Sequence, residues 1–399
     1  MSAIAGNTSV RPFSTLAGAV VLLGIGDSMA GSYLVLFASE HAGLTPVQVG
    51  VFSSAPAAGG IVLGALAGRR FDRAPTKAYA IAAALLGALG FLLLTTTTSA
   101  PLLILIGVTL IAAGQAAFAQ LFTLARVVLG DGRAGRRSAP LLRSGWSLAW
   151  ALGPLAGAAL LPRAGFPGLL TVAAAVVALA ALSAAAAPTP RTPVAAPSPS
   201  AVTASRPSRP ALALLVGGVT LFFLAMFAGS VALPLYVTRE LHEPAGAVGL
   251  MFSACSAVEV VVALVLAGLP QRLNQRALIA GAMVAMAAFF AITVLASGMT
   301  TILLGQIARG VAIAVVGAAG IRFFQDLLAP ATGRATTLFA NAGAAGSLLS
   351  GVLAGLAITH WGYTTTLALC GVSALAGAAM FAVSPRAPST RSSRPPLAG

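Results

Sequence analysis

A dozen apolar stretches, each long enough to cross a bilayer and divided by short polar punctuation, leave this 399-residue chain only lipid as a solvent for its surface. A helix needs about 20 apolar residues to span a hydrocarbon core of about 30 Å, because backbone N–H and C=O groups in lipid must be satisfied within the segment. The stretches predict spans at 14–38, 47–68, 78–97, 101–124, 140–161, 167–187, 211–237, 246–268, 277–297, 301–325, 335–358 and 364–383. Hydrophobic residues make up 58% of the chain and charged residues 8%, a balance foreign to water-soluble domains of this length. The expected fold class is therefore all-α integral membrane.

The net charge of +15 raises the question of nucleic acid, but the basic residues are scattered over connectors and form no single stripe. Nucleic acid is not an expected partner. Orientation accounts for the charge better. With the N-terminus inside, all Lys and Arg except Arg163, Arg239 and Arg309 fall on the cytoplasmic side, so the positive-inside rule puts both termini in the cytoplasm. The first span has one preceding basic residue, Arg11, and no convincing cleavage site, so it reads as uncleaved. Cys255 and Cys370 sit within apolar spans and read as buried, inert thiols.

Residues 188–210 (PTPRTPVAAPSPSAVTASRPSRP) are rich in Pro, Ser and Ala and cannot build a core, which marks a cytoplasmic linker. The chain thus divides into a bundle at 1–187, the linker at 188–210, a second bundle at 211–383 and a tail at 384–399. The halves echo each other. Val49-Gly50-Val51 and Val248-Gly249-Leu250 each open an even-numbered span, and Phe37 and Tyr236 stand at the same offset. Six spans plus six with a parallel internal repeat is the layout of major facilitator carriers, which rock about a central site. Small residues recur every four positions at Gly60, Gly64 and Gly68 and at Gly343, Ser347, Gly351 and Gly355. Such faces serve either ordinary close packing or a sliding interface between halves.

Ionisable residues near mid-span cost about 2.5–3.5 kcal/mol each on insertion scales, so each needs a reason. Asp27, Glu259 and Arg309 are the outliers. A carboxyl beside a partly dry cavity can take up and release a proton during a cycle, which makes Glu259 the first proton-coupling candidate and Asp27 the second. The alternative for either is a carboxylate held for structure. Arg309 either binds a polar substrate or balances the acids.

Gln115, Gln120, Gln306 and Asn341 add amides that both donate and accept, as hydroxyl-rich ligands require. Gln306 and Arg309 share a helix face, as do Arg143, Trp146, Ser147 and Trp150. An indole beside hydrogen-bonding groups suits a sugar ring, although interfacial or packing tryptophans fit the pattern equally well. His41, His242 and His360 fall at expected external span ends, so no metal and no cofactor is expected. No phosphate-binding loop occurs, which argues against an ATP-driven pump.

Four strings, QLFTLAR (120–126), LLRSGWSLAWALGP (141–154), SAVEVVVALVLAG (256–268) and IRFFQDLLAPATGRATTLFANAG (321–343), resemble the bacterial sugar efflux transporter family of the major facilitator superfamily. The resemblance spans nearly the whole chain. It implies twelve transmembrane helices in two six-helix pseudo-symmetric bundles, a saccharide or glycoside substrate, protons as coupling partner, and residence in the bacterial cytoplasmic membrane. It also matches Arg126, Arg143, Trp150, Glu259, Gln306, Gln325, Asp326 and Asn341 to the same residue in family members. Gly153-Pro154 followed by Gly157 resembles the fifth-span motif of facilitator antiporters and favours export. Two residues depart from the family pattern: Asp27 stands where a small uncharged residue is expected and Arg309 where a neutral polar one is, so the pair either compensates or tunes a different substrate. GRRFDRAPTK (68–77) is a degenerate form of the superfamily gating motif. Asp72 there either pairs with Arg69, Arg70 or Arg73 as a latch or is merely solvated, and Asp326 has the same two readings.

The reading is a secondary carrier exporting sugars or small glycosides, with monomer the favoured state. Its runner-up is an exporter of drugs or other amphipathic compounds. A transport-inactive sensor comes third, and a polytopic membrane enzyme is disfavoured because no His or Cys constellation lies at membrane depth.

Overall fold

The computed structural model describes residues 7–73, 76–129, 133–188, 208–268 and 274–384. Regular structure among them is helical throughout: α1 (Asn7–Gly31), α2 (Leu34–Leu36), α3 (Pro46–Arg73), α4 (Ala78–Leu94), α5 (Ala100–Ile106), α6 (Ala112–Leu129), α7 (Arg133–Ala185), α8 (Arg209–Arg239), α9 (Gly246–Gly268), α10 (Gln275–Val294), α11 (Met299–Leu327) and α12 (Thr332–Val383). π-helical turns at Phe37–His41 and Gly107–Ile111 follow α2 and α5. Nine helical stretches among the described residues are long and apolar enough to cross a membrane, and α4 is a shorter apolar helix.

At 1.5 Å per residue, the 53 residues of α7 would measure about 80 Å, far more than a bilayer core. One residue solves this. Gly165 (φ 62°) breaks α7, and Gly362 (φ 79°) breaks α12 in the same way. Both backbones need a conformation that only glycine adopts without strain. The breaks fall in the intervals 162–166 and 359–363, where the hydropathy pattern also stops.

Within each half the packing follows one scheme: α1 lies on α7 and α4 on α6 in the first, α8 on α12 and α10 on α11 in the second. Between halves, α3 packs on α12 and α7 on α9, two pairings that the internal repeat exchanges. Large apolar side chains such as Leu182, Leu264 and Leu304 are more than 60% exposed, the surface lipid would cover.

The inter-half contact is tight at the end expected to face outside. A Cβ on Gly50 would strike the Gly351 carbonyl, and one on Gly355 would strike the Pro46 carbonyl. Gly249 presses on Tyr33 and on the Pro154 carbonyl. The Gly351 N–H donates to Ser54 Oγ at 3.1 Å, and Arg239 Nη2 donates to Ser39 Oγ at 2.6 Å. Gly351 and Gly355 of the α12 stripe therefore take part in the contact between halves, whereas Gly343 packs on Phe223 of its own half and Gly60 faces open space; positions 64 and 68 lie outside the described side chains.

Candidate functional site

Between the halves lies a cavity of about 540 Å³. Its first wall carries Ser32, Arg143, Trp146, Ser147 and Trp150, presented by the α1 end and by α7. The α7 residues share one face because they recur at helical spacing, and Arg143 is exposed at the end away from the inter-half contact. Trp146 packs on Phe118, with ring centroids 4.2 Å apart, and neighbours Trp150 at 6.3 Å. An aromatic shelf results.

The opposite wall carries Ser230 on α8, Cys255, Ser256 and Glu259 on α9, and Arg309 on α11. Arg309 is 3% exposed yet partnered: Nη2 donates to Ser230 Oγ at 2.8 Å, and Nη1 to Gln306 Oε1 at 3.4 Å. Its guanidinium also sits 5.1 Å from the Phe252 ring centroid and 5.6 Å from that of Phe289, a cation–π clamp that offsets lost hydration. Glu259 accepts the Cys255 thiol hydrogen at 3.5 Å, one turn earlier on the same helix. One cavity thus presents a carboxyl and a guanidinium on one side and indoles on the other.

Of the sequence-predicted residues, Arg143, Trp146, Trp150, Glu259 and Arg309 line this space together. Gln306 lies fully buried behind Arg309 as its acceptor, and its own amide donates to Ile302 O at 3.4 Å. Gln120 is buried on α6 with Oε1 unpartnered, while Gln115 and Asn341 are exposed, and none of the three lines the cavity. Asp27 sits elsewhere, in a void of about 10 Å³ inside the first half, walled by Leu23, Phe91, Ile111 and Val177. Ile111 also lines the large cavity, so one side chain stands between the two spaces. Asp27 and Arg309 occupy different cavities, and the partners of Arg309 are Ser230 and Gln306.

Gly153 and Pro154 lie where α7 meets α1. A Cβ on Gly153 would strike Ser28 Oγ and the Ile25 carbonyl, and the Pro154 carbonyl accepts the Tyr33 hydroxyl at 3.2 Å. Asp326 is exposed at the end of α11 and accepts from Gln275 Nε2 at 3.2 Å, a tie within the second half. The side chains of Asp72, Arg73 and Arg126 lie outside the described residues.

Sequence reasoning missed Ser32, Ser230, Phe252 and the thiol of Cys255. Ser230 meets Arg309 across 79 residues of chain, a separation that no periodicity reveals. Phe252 and Cys255 lie two turns and one turn before Glu259 on α9, so the helical spacing that grouped the tryptophans also marks them.

The sequence profile of the Major Facilitator Superfamily matches residues 16–229 and 215–398, one match per half. A Deinococcus radiodurans protein assigned by name as a sugar efflux transporter is 35% identical over 381 residues, 93% of this chain and 97% of that one. Sugar efflux transporter A of Dickeya chrysanthemi is 31% identical, covering 90% of this chain and 92% of its own. Sugar efflux transporter B of Salmonella typhimurium is 30% identical, at 86% and 88%. Among solved structures, a point mutant of the nucleoside transporter NupG superposes with TM-score 0.81 at 14% identity, covering 93% of this chain and all of that one. A POT family transporter in complex with 5-aminolevulinic acid reaches 0.77 at 12% identity, with 94% and 96% covered. Likenesses this distant concern the fold alone.

Proposed function

The chain belongs to the Major Facilitator Superfamily, within its sugar efflux transporter family, and we propose that it exports saccharides or small glycosides from the cytoplasm by proton antiport. The observation carrying this reading is the cavity between the halves, where Trp146 and Trp150 face Ser230, Glu259 and Arg309. Indole offers an apolar platform to the C–H face of a sugar ring, and the polar wall offers donors and acceptors to its hydroxyls.

The contact pattern supports alternating access. The halves meet through glycines pressed on main-chain carbonyls at one end, and in the proposed orientation, with both termini cytoplasmic, that end is the outer one. The cavity then faces inward, ready to load. Glu259 takes the proton: bound to the carboxyl, it removes the charge that resists passage of this wall through the closed intermediate. Arg309 stays charged and holds the polar wall in register. The bundles at 1–187 and 211–383 rock as units, and the linker at 188–210 tethers them on the inner side.

Much of the cavity lining is apolar, with Phe52, Ile111, Val231, Phe252 and Ile313, which favours the second reading, export of amphipathic compounds. Inside-out vesicles with an acidic lumen decide between them, using labelled saccharides and cationic drugs. Saccharide accumulation that collapses with the pH gradient is the expected result. Accumulation of the drugs alone overturns it.

A further inference from the structure

Four serines of the cavity wall return their hydroxyls to their own helices: Ser53 to Val49 O at 2.8 Å, Ser147 to Arg143 O at 3.1 Å, Ser230 to Met226 O at 2.9 Å and Ser350 to Ser347 O at 2.8 Å. That is the ordinary fate of a serine in a membrane helix. Ser32 departs from it. It lines the same cavity, is only 6% exposed, and its Oγ has no partner.

Local backbone explains the exception. The first span is interrupted at Ser32 and Tyr33, between the end of α1 at Gly31 and the start of α2 at Leu34. The Tyr33 N–H bonds Ala30 O at 2.9 Å, a tighter turn than the helix makes. Interrupted helices in carriers are tolerated where the backbone lines a cavity.

A second polar atom on this wall is in the same condition. Trp150 lines the cavity from α7, and its Nε1 is buried without an acceptor. A buried donor without a partner costs about 1–3 kcal/mol, so two of them on one wall call for an occupant. The indole N–H only donates, so its occupant brings an acceptor oxygen, and the serine hydroxyl donates or accepts; both atoms are covered in this conformation, so a side-chain turn at each must bring it to the cavity.

We propose that Ser32 Oγ and Trp150 Nε1 form a hydrogen-bonding subsite on the first-half wall, each taking one oxygen of a neutral polyhydroxylated ligand. This rests on the saccharide reading above and adds which atoms discriminate. Phe118 and Trp146 supply the adjoining apolar shelf. The subsite selects hydroxyl pattern, while the Glu259 and Arg309 wall handles charge.

Binding to the purified full-length protein tests this with glucose, galactose, their methyl glycosides and the monodeoxy analogues of each. Ser32→Ala and Trp150→Phe should each weaken the parent sugar about five- to tenfold, the worth of one neutral hydrogen bond. For each variant, one monodeoxy analogue should bind as it does to the wild type, because the lost partner is already absent. Ser32→Thr, which keeps the hydroxyl, should retain the discrimination. Melting temperature should hold or rise, since an unpaired buried group is removed. Equal affinity of the variants and the wild type for all sugars overturns the subsite, and so does a uniform loss across every analogue. In both cases the saccharide reading survives. A wild-type protein that binds none of these sugars overturns both.

Discussion

Glu259 and Arg309 reach one cavity from α9 and α11, and each leans on a small neutral group, the Cys255 thiol and the Ser230 hydroxyl. Both charged residues were legible in the sequence, because an ionisable side chain in an apolar span is costly wherever it points. Their neutral partners were not, since serine and cysteine cost little in a helix and so leave no mark. Glu259→Gln should abolish accumulation driven by a pH gradient while sugar exchange without a gradient persists, measured in the same vesicles. Full gradient-driven accumulation in the variant would remove the proton role. Ser230→Ala should lower stability in detergent by about 1–3 kcal/mol, because Arg309 loses its shorter hydrogen bond inside the protein. An unmoved thermal transition would mean that Gln306 and the aromatic clamp suffice to hold the guanidinium. Gln115 and Asn341 teach the converse: an amide in an apolar run marks a polar need, but the sequence does not say which face of the helix carries it.

At the level of helices, hydropathy located apolar helical stretches because the apolar run itself is what lipid demands. The irregularities inside them were invisible. Nothing in the composition of 28–41 announces the interruption at Ser32 and Tyr33, and the run at 101–124 hides a π-helical turn at Gly107–Ile111. Such features arise where a neighbouring helix or cavity intrudes, which is tertiary information. Glycines divide sharply in the same way. Gly153→Ala should destabilise the protein by about 1–3 kcal/mol, because the new methyl meets Ser28 Oγ and the Ile25 carbonyl at the α1–α7 contact. Gly60→Ala, facing open space on α3, should be neutral or stabilising by up to about 1 kcal/mol through helix propensity. Thermal unfolding of the two variants side by side checks the contrast; equal shifts would refute the packing assignment.

For the molecule as a whole, the two halves meet along α3 with α12 and α7 with α9, so the internal repeat seen faintly in sequence becomes a repeated pairing in space. A central site between two halves was expected from the six-plus-six layout, but the stripe on α12 left packing and a sliding interface both open, and no single-sequence signal chose which glycines meet. A methyl at Gly351 would collide with the Gly50 carbonyl and with Ser54. Gly351→Ala should therefore wedge the joined end apart and shift the population towards the opposite conformer. A cysteine placed at Ser53, in a Cys255→Ser background, reads this out with an impermeant maleimide. It should resist label from the outer face in the parent and take it up in the wedged variant; identical labelling would show that the contact does not set the equilibrium.

Sealing by bare main chain has a mechanical corollary. Surfaces that meet largely through glycine and carbonyl, tied by few side chains such as Arg239 to Ser39, behave like a door that shuts flush on a light latch: few bonds must be broken to part the leaves. The timing of each swing is then left to the cargo and the proton below, so the closed end adds little barrier of its own and coupling rests on the cavity walls.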